Sequence, residues 1–75
     1  MERYLNRGGN SGVVGYEIED ECITVEFDDG ARYLYTYGSA GADAIERMKS
    51  LARFGQGLNS FISRSVKKGY ARRLN

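Results

Sequence analysis

The chain has no histidine, no proline and no tryptophan, and a single cysteine in 75 residues. The missing histidine removes the commonest general base, the usual activator of a nucleophile and the commonest zinc ligand. A lone Cys22 can neither staple the monomer nor build a metal cluster, so the chain reads as reduced, with Cys22 a small half-buried apolar residue. Carboxylates gather at Glu17, Glu19, Asp20 and Glu21, yet no D-x-D-x-D-G spacing accompanies them and no G-x-x-x-x-G-K-S/T run cradles a phosphate. Gly55-Gln56-Gly57 is too short for a dinucleotide fingerprint and follows no strand. The expectation is a protein that is not an enzyme and carries no metal or cofactor. No run reaches the apolar length of a membrane span, and Met1–Arg7 lacks the apolar core of a secretory signal, so a cytoplasmic protein with no membrane partner is expected.

Length sets the next limit. Seventy-five residues make one domain near the lower end of what folds alone. Such a chain depends on good packing, or on a partner that completes its core.

The hydrophobic pattern has two periods. Residues 1–12, with Arg7-Gly8-Gly9-Asn10-Ser11-Gly12 as their Gly-rich part, read as a flexible lead before one domain over 13–75. Strands are expected at about 13–19, 22–28 and 31–37: Val14, Tyr16 and Ile18, then Ile23, Val25 and Phe27, then Tyr33, Tyr35 and Tyr37 alternate with mostly polar neighbours. Asp28-Asp29-Gly30 allows two registers. A two-residue loop sets Val25 opposite Leu34 and turns the tyrosines away from Ile23 and Val25. A three-residue loop with Gly30 as a left-handed bulge pairs Phe27 with Ala31 and sets Val25 against Tyr33 and Ile23 against Tyr35. The second separates apolar from polar faces more cleanly and is the one expected, leaving Leu34 alone on the wet side.

From about Ser39 the period lengthens. Ala44, Ile45, Met48, Leu51 and Ala52 mark a helix over about 40–54, closed by Gly55 and Gly57. Leu58, Phe61, Ile62, Ser65 and Val66 share a face of a second helix over about 58–68, followed by a basic tail from Tyr70 to Asn75. The expected fold is α+β: a three-stranded antiparallel meander followed by two helices packed on one face.

Charge is the strongest functional signal. Residues 1–46 hold three basic and ten acidic side chains, a net of −7; residues 47–75 hold eight basic and none acidic, a net of +8. An acid-free basic stretch attracts a polyanion, and phosphate is the chemistry it fits. The candidate nucleic-acid-binding residues are Arg64, Lys67, Lys68, Arg72 and Arg73 for phosphate and Asn59 for positioning. Tyr37, at a strand end, and Tyr70, in the basic tail, are placed to stack on an unpaired base. Lys67, Lys68, Arg72 and Arg73 also sit at or beyond a helix C-terminus, where cations offset the helix dipole with no ligand at all. The acidic strands can equally neutralise the basic helices, within one molecule or head-to-tail between two. No aromatic motif of the RRM kind is present.

Gly15-Tyr16, Ile23-Thr24-Val25-Glu26-Phe27 with its turn at Gly30, Tyr33-Leu34-Tyr35, and Gly55-Gln56-Gly57-Leu58-Asn59-Ser60-Phe61-Ile62 occur in an order that resembles the KTSC family. This is a domain of roughly sixty residues found alone in bacterial and phage proteins and at the C-terminus of some lysyl-tRNA synthetases. The resemblance runs from about Ser11 to Tyr70. Two departures stand out: Thr36-Tyr37-Gly38-Ser39 replaces the family's short Val-Pro lead into the helix, and Gly57 replaces an aromatic. The resemblance implies the fold, and through its company with a tRNA enzyme it points to RNA. The sequence thus gives two expectations: a domain that binds RNA or another single-stranded nucleic acid, or a protein-interaction module that joins itself or a larger complex, such as a phage-encoded accessory.

Overall fold

The structure, a computed structural model, describes residues 1–9 and 11–75. It is α+β, as expected, but the sheet has five strands rather than three. In chain order the elements are β1 (Glu2–Arg3), β2 (Val13–Glu19), β3 (Cys22–Phe27), β4 (Arg32–Thr36), a single turn α1 (Tyr37–Ala40), α2 (Ala42–Phe54), a helix α3 made of an α-helical turn (Leu58–Phe61) and the π-helical turn that continues it (Ile62–Val66), and β5 (Arg72–Arg73). The strands lie side by side in sequence order, every neighbouring pair antiparallel.

The β3–β4 hairpin takes the three-residue loop. Phe27 N–H donates to Ala31 O at 2.9 Å, Gly30 N–H donates back to Phe27 O, and Gly30 sits at φ +90°. Val25 therefore faces Tyr33 and Ile23 faces Tyr35. These residues turn one face of the sheet toward Ile45, Met48 and Ala52 of α2 and Leu58, Ile62 and Val66 of α3, and together they form the core. Each large aliphatic buried there contributes about 1.5–3 kcal/mol. The other face stays open.

The two additional strands come from the segments read as lead and tail. Val14 is an extra residue in β2 where the register shifts, and its carbonyl accepts from Tyr4 N–H at 3.0 Å. That contact carries Tyr4 into the core, where it is 3% exposed. Beyond it, Leu5 crosses the end of α2 so closely that a methyl group on Gly55, already at φ +84°, would come 2.6 Å from Leu5 Cβ. Arg7 then closes that helix end: its N–H donates to Gly55 O, and its guanidinium donates to Phe54 O and lies 5.1 Å from the Phe54 ring. Residues 1–7 are thus a packed strap and not a free lead; Asn10 lies outside the described residues. A two-residue strand has no period to read, which is why the alternation of polar and apolar groups missed it.

Element boundaries also shift. Tyr37, expected at the end of a strand, opens α1: the Thr36 hydroxyl accepts from Ser39 N–H at 3.1 Å while Ser39 Oγ accepts from Thr36 N–H at 3.0 Å. This reciprocal cap turns the chain one residue early. Helix α2 starts at Ala42, and the second helix ends at Val66, two residues short of expectation. Ser65, expected on the buried face, is exposed because the wider π turn shifts the helical phase.

Candidate functional site

Helix α3 buries Leu58, Ile62 and Val66, spaced four residues apart, so its outward side carries Ser60, Ser63, Arg64 and Ser65, with Asn59 half-buried beside them. At its end Lys67 N–H reaches back five residues to Ile62 O, which is the π turn. Lys67 then adopts φ +53° and ψ −116°, and Gly69 N–H donates to Val66 O at 2.9 Å to close a tight turn. A lysine in that backbone region costs about 1–3 kcal/mol, and such strain clusters at functional sites. Its effect here is to put Lys67 and Lys68 at an exposed corner, both in solvent.

Two adjoining hollows flank α3. One, of about 350 Å³, has Arg47 of α2 and Arg64 on its walls with Ser60 and Ser65, over Leu51 and Phe61. The other, of about 200 Å³, is lined by Asn6, Ser11, Gln56 and Asn59 and has no charged group among its described lining residues. Gly57 and Ser60 border both. Among the described residues the ion pairs are Arg32–Glu26 at 3.5 Å and Lys49–Glu46 at 2.9 Å. Arg47, Arg64, Lys67 and Lys68 are in neither. The acids lie elsewhere: strand register puts Glu17, Glu19 and Glu26 opposite Thr24, Cys22 and Arg32 on the open face of the sheet. Asp43 and Glu46 stand on α2 and Arg32 stands on the open face, so the split along the sequence is only partly a split between the two sides of the fold.

The expected site residues are only partly gathered. Arg64, Lys67 and Lys68 follow one another along α3 and its terminal turn, and Asn59 lies at the other end of the same helix. The β5 strand separates the last two arginines. Arg73 pairs with Tyr33 on the helical side, its guanidinium 5.8 Å from that ring, whereas Arg72 pairs with Leu34 on the open face. Leu34, expected alone, is half-buried beside this strand. Tyr70 packs into an aromatic cluster, 4.6 Å from the Tyr33 ring and 6.2 Å from Tyr35. Burial, followed by the neighbouring Tyr33 and Tyr70, pushes the Tyr35 hydroxyl up to about 12. Tyr37 is away from α3, donating to Glu46 Oε2 at 2.6 Å with the Lys49 ammonium 5.7 Å from its ring. That hydrogen bond holds the Tyr37 hydroxyl up at about 12 and holds the Glu46 carboxyl below its ordinary range.

Lys49, one of the eight cations in the basic stretch, is 5% exposed and donates to Asp20 O at 2.6 Å and to Glu46, so it is spent inside the fold. Arg47 is the residue that sequence reasoning missed. Its spacing of four from Leu51 puts the two on one flank of α2, and that phase was the signal available. Cys22, half-buried on the open face, donates to Glu19 Oε1 at 3.2 Å, and its thiol is pushed up by burial and then by that carboxylate. Among the described residues no group of His, Cys, Asp and Glu could hold a metal ion, and no helix is long and apolar enough to cross a membrane.

What fold and surface define together is a small α+β domain whose helical layer carries Arg47, Arg64, Lys67 and Lys68 without an ion-pair partner among the described residues. No family model matches the chain, and no curated protein or solved structure matches it either.

Proposed function

We propose that this protein is a nucleic-acid-binding domain, of the KTSC kind, that holds the phosphate backbone of RNA or another single strand along the outer side of α3. The observation that carries the reading is the hollow between α2 and α3, in which Arg47 and Arg64 stand with Ser60 and Ser65 and neither arginine has an acidic partner among the described residues. Guanidinium groups grip phosphate in fork geometry, and small hydroxyls beside them supply positioning hydrogen bonds. Lys67 and Lys68 extend the track at its end. Four phosphates neutralised on a single strand give a slope near −3 for log affinity against log salt. Fluorescence anisotropy with an end-labelled single-stranded RNA across a salt series tests this. A slope near zero, or unchanged binding by Arg64→Glu with Lys67→Glu, would overturn it.

A second reading draws on the same charge separation. The carboxylates of Glu17 and Glu19 on the open sheet face and the cations of the helical side are complementary groups on one molecule and favour head-to-tail association. Light scattering at low and high salt distinguishes the two, since a monomer under both conditions removes self-association.

A further inference from the structure

Resting on that reading, we propose that the uncharged hollow beside Asn59 is a base-reading subsite: it takes the edge of one unpaired nucleobase whose phosphate lies on Arg47 and Arg64. The hollow is about 200 Å³, smaller than the roughly 300–1,000 Å³ of pockets for drug-sized ligands, and so suits one ring system rather than a whole nucleoside. Its polar lining is Asn6, Ser11, Gln56, Asn59 and Ser60. Carboxamides offer a donor and an acceptor side by side, the pairing that matches the edge of a base. With no cation or carboxylate among its described lining residues, the hollow has nothing to compensate a charged guest and suits a neutral hydrogen-bonding group.

The lining is also available. Asn6 Oδ1 accepts from Ser11 N–H at 3.1 Å, which fixes its orientation, and its NH₂ has no acceptor among the described residues. The side-chain amides of Gln56 and Asn59 have no hydrogen-bond partner among the described residues. Gly57 and Ser60 are common to this hollow and to the one holding the two arginines, so a base in the first and a phosphate in the second belong to a single nucleotide. Tyr4, the aromatic bordering the hollow, is 3% exposed and its hydroxyl is taken by Leu58 N–H, so recognition rests on hydrogen bonds and not on stacking. Stacking tolerates every base, whereas hydrogen-bonded edges discriminate. The site should therefore have a base preference.

The test is anisotropy of the full chain with end-labelled single-stranded homopolymers of A, U and C at one low salt concentration, repeated with Asn59→Ala and Gln56→Ala. Neither replaced side chain has a hydrogen-bond partner among the described residues, and thermal melts verify that both variants remain folded. The expected result is a preference of about tenfold for one base, levelled by either variant, with the salt slope unchanged. Equal affinity for all three homopolymers with a salt slope near −3 overturns the base subsite and leaves the phosphate track standing. A preference that survives both substitutions overturns the placement in this hollow. Failure to bind any homopolymer defeats the phosphate track and this subsite with it.

Discussion

The Tyr4 hydroxyl accepts a hydrogen bond from the Leu58 amide at 3.3 Å, joining residues 54 positions apart. One side chain thus fixes the N-terminal strap to the start of the helix that carries the cationic side. Its ring fills the core under both, so Tyr4→Ala should cost about 3–5 kcal/mol, as aromatic truncations in cores do. A chain of this length has a total stability on the order of 4–11 kcal/mol, so that loss is a large fraction of it. Tyr4→Phe keeps the ring but leaves the buried Leu58 N–H unpaired, at about 1 kcal/mol. Urea denaturation of both variants measures the two values; a loss below about 1 kcal/mol for Tyr4→Ala would mean that the strap is not part of the cooperative fold.

How far the fold was legible depends on where the information sits. The turn at Gly30 was readable because one alternative register buries a polar face and the other does not. Helix α2 was readable because Ile45, Met48 and Ala52 recur at helical spacing. The edge strands were not readable, because Glu2–Arg3 and Arg72–Arg73 are too short to show alternation and are defined by the strands they lie against. The charge split identified a cationic side but could not assign its members. Lys49 looks like Lys67 in sequence and is buried, Arg72 looks like Arg73 and faces the other way, and Arg47 joins Arg64 only once α2 and α3 are packed.

The Tyr37–Glu46 bond gives a dependence on pH with opposite signs at its two ends. Glu46 is held below its ordinary value by Tyr37 and then by Lys49, so its contribution to stability is present above the ordinary carboxylate range and is lost as pH falls through the lower folded value. Tyr37 is raised to about 12 from 10.0, so the neutral phenol's contribution is complete below about pH 10 and disappears as pH rises toward 12. Tyrosinate absorbance in an alkaline titration should show Tyr35 and Tyr37 ionising at about pH 12 and not near 10. Glu46→Gln should bring one of the two back toward 10, and Tyr37→Phe should delete the same one. If Glu46→Gln leaves the titration unaltered, the bond is not formed in solution.

Lys67 sets stability against binding. Its φ of +53° suits glycine, and Lys67→Gly relieves the strain, so the variant should gain about 1 kcal/mol in urea denaturation. The same change removes a cation from the end of the phosphate track, and the salt slope for a single strand should flatten by about 0.7. Lys67→Ala separates the two effects, because it loses the charge and keeps the strain. A glycine variant that is less stable than the parent would show that the lysine stem, and not its charge, holds the turn.

Arg72 and Arg73 provide the sharpest internal control, because they are chain neighbours on opposite sides of the sheet. Arg72 lies opposite Leu34 on the open face of the sheet, turned away from the hollow in which Arg47 and Arg64 stand. Arg73 lies on the helical side, over Tyr33, which packs against Tyr70. Arg72→Glu should therefore change single-strand affinity less than twofold, whereas Arg64→Glu should weaken it by tenfold or more at low salt, since it removes a phosphate contact and places a repelling carboxylate beside Arg47. Reversal at Arg73 should fall between them, at the margin of the track. Were Arg72→Glu to weaken binding as much as Arg64→Glu, attraction would come from the net charge of the whole chain, and no face of it would be the interface.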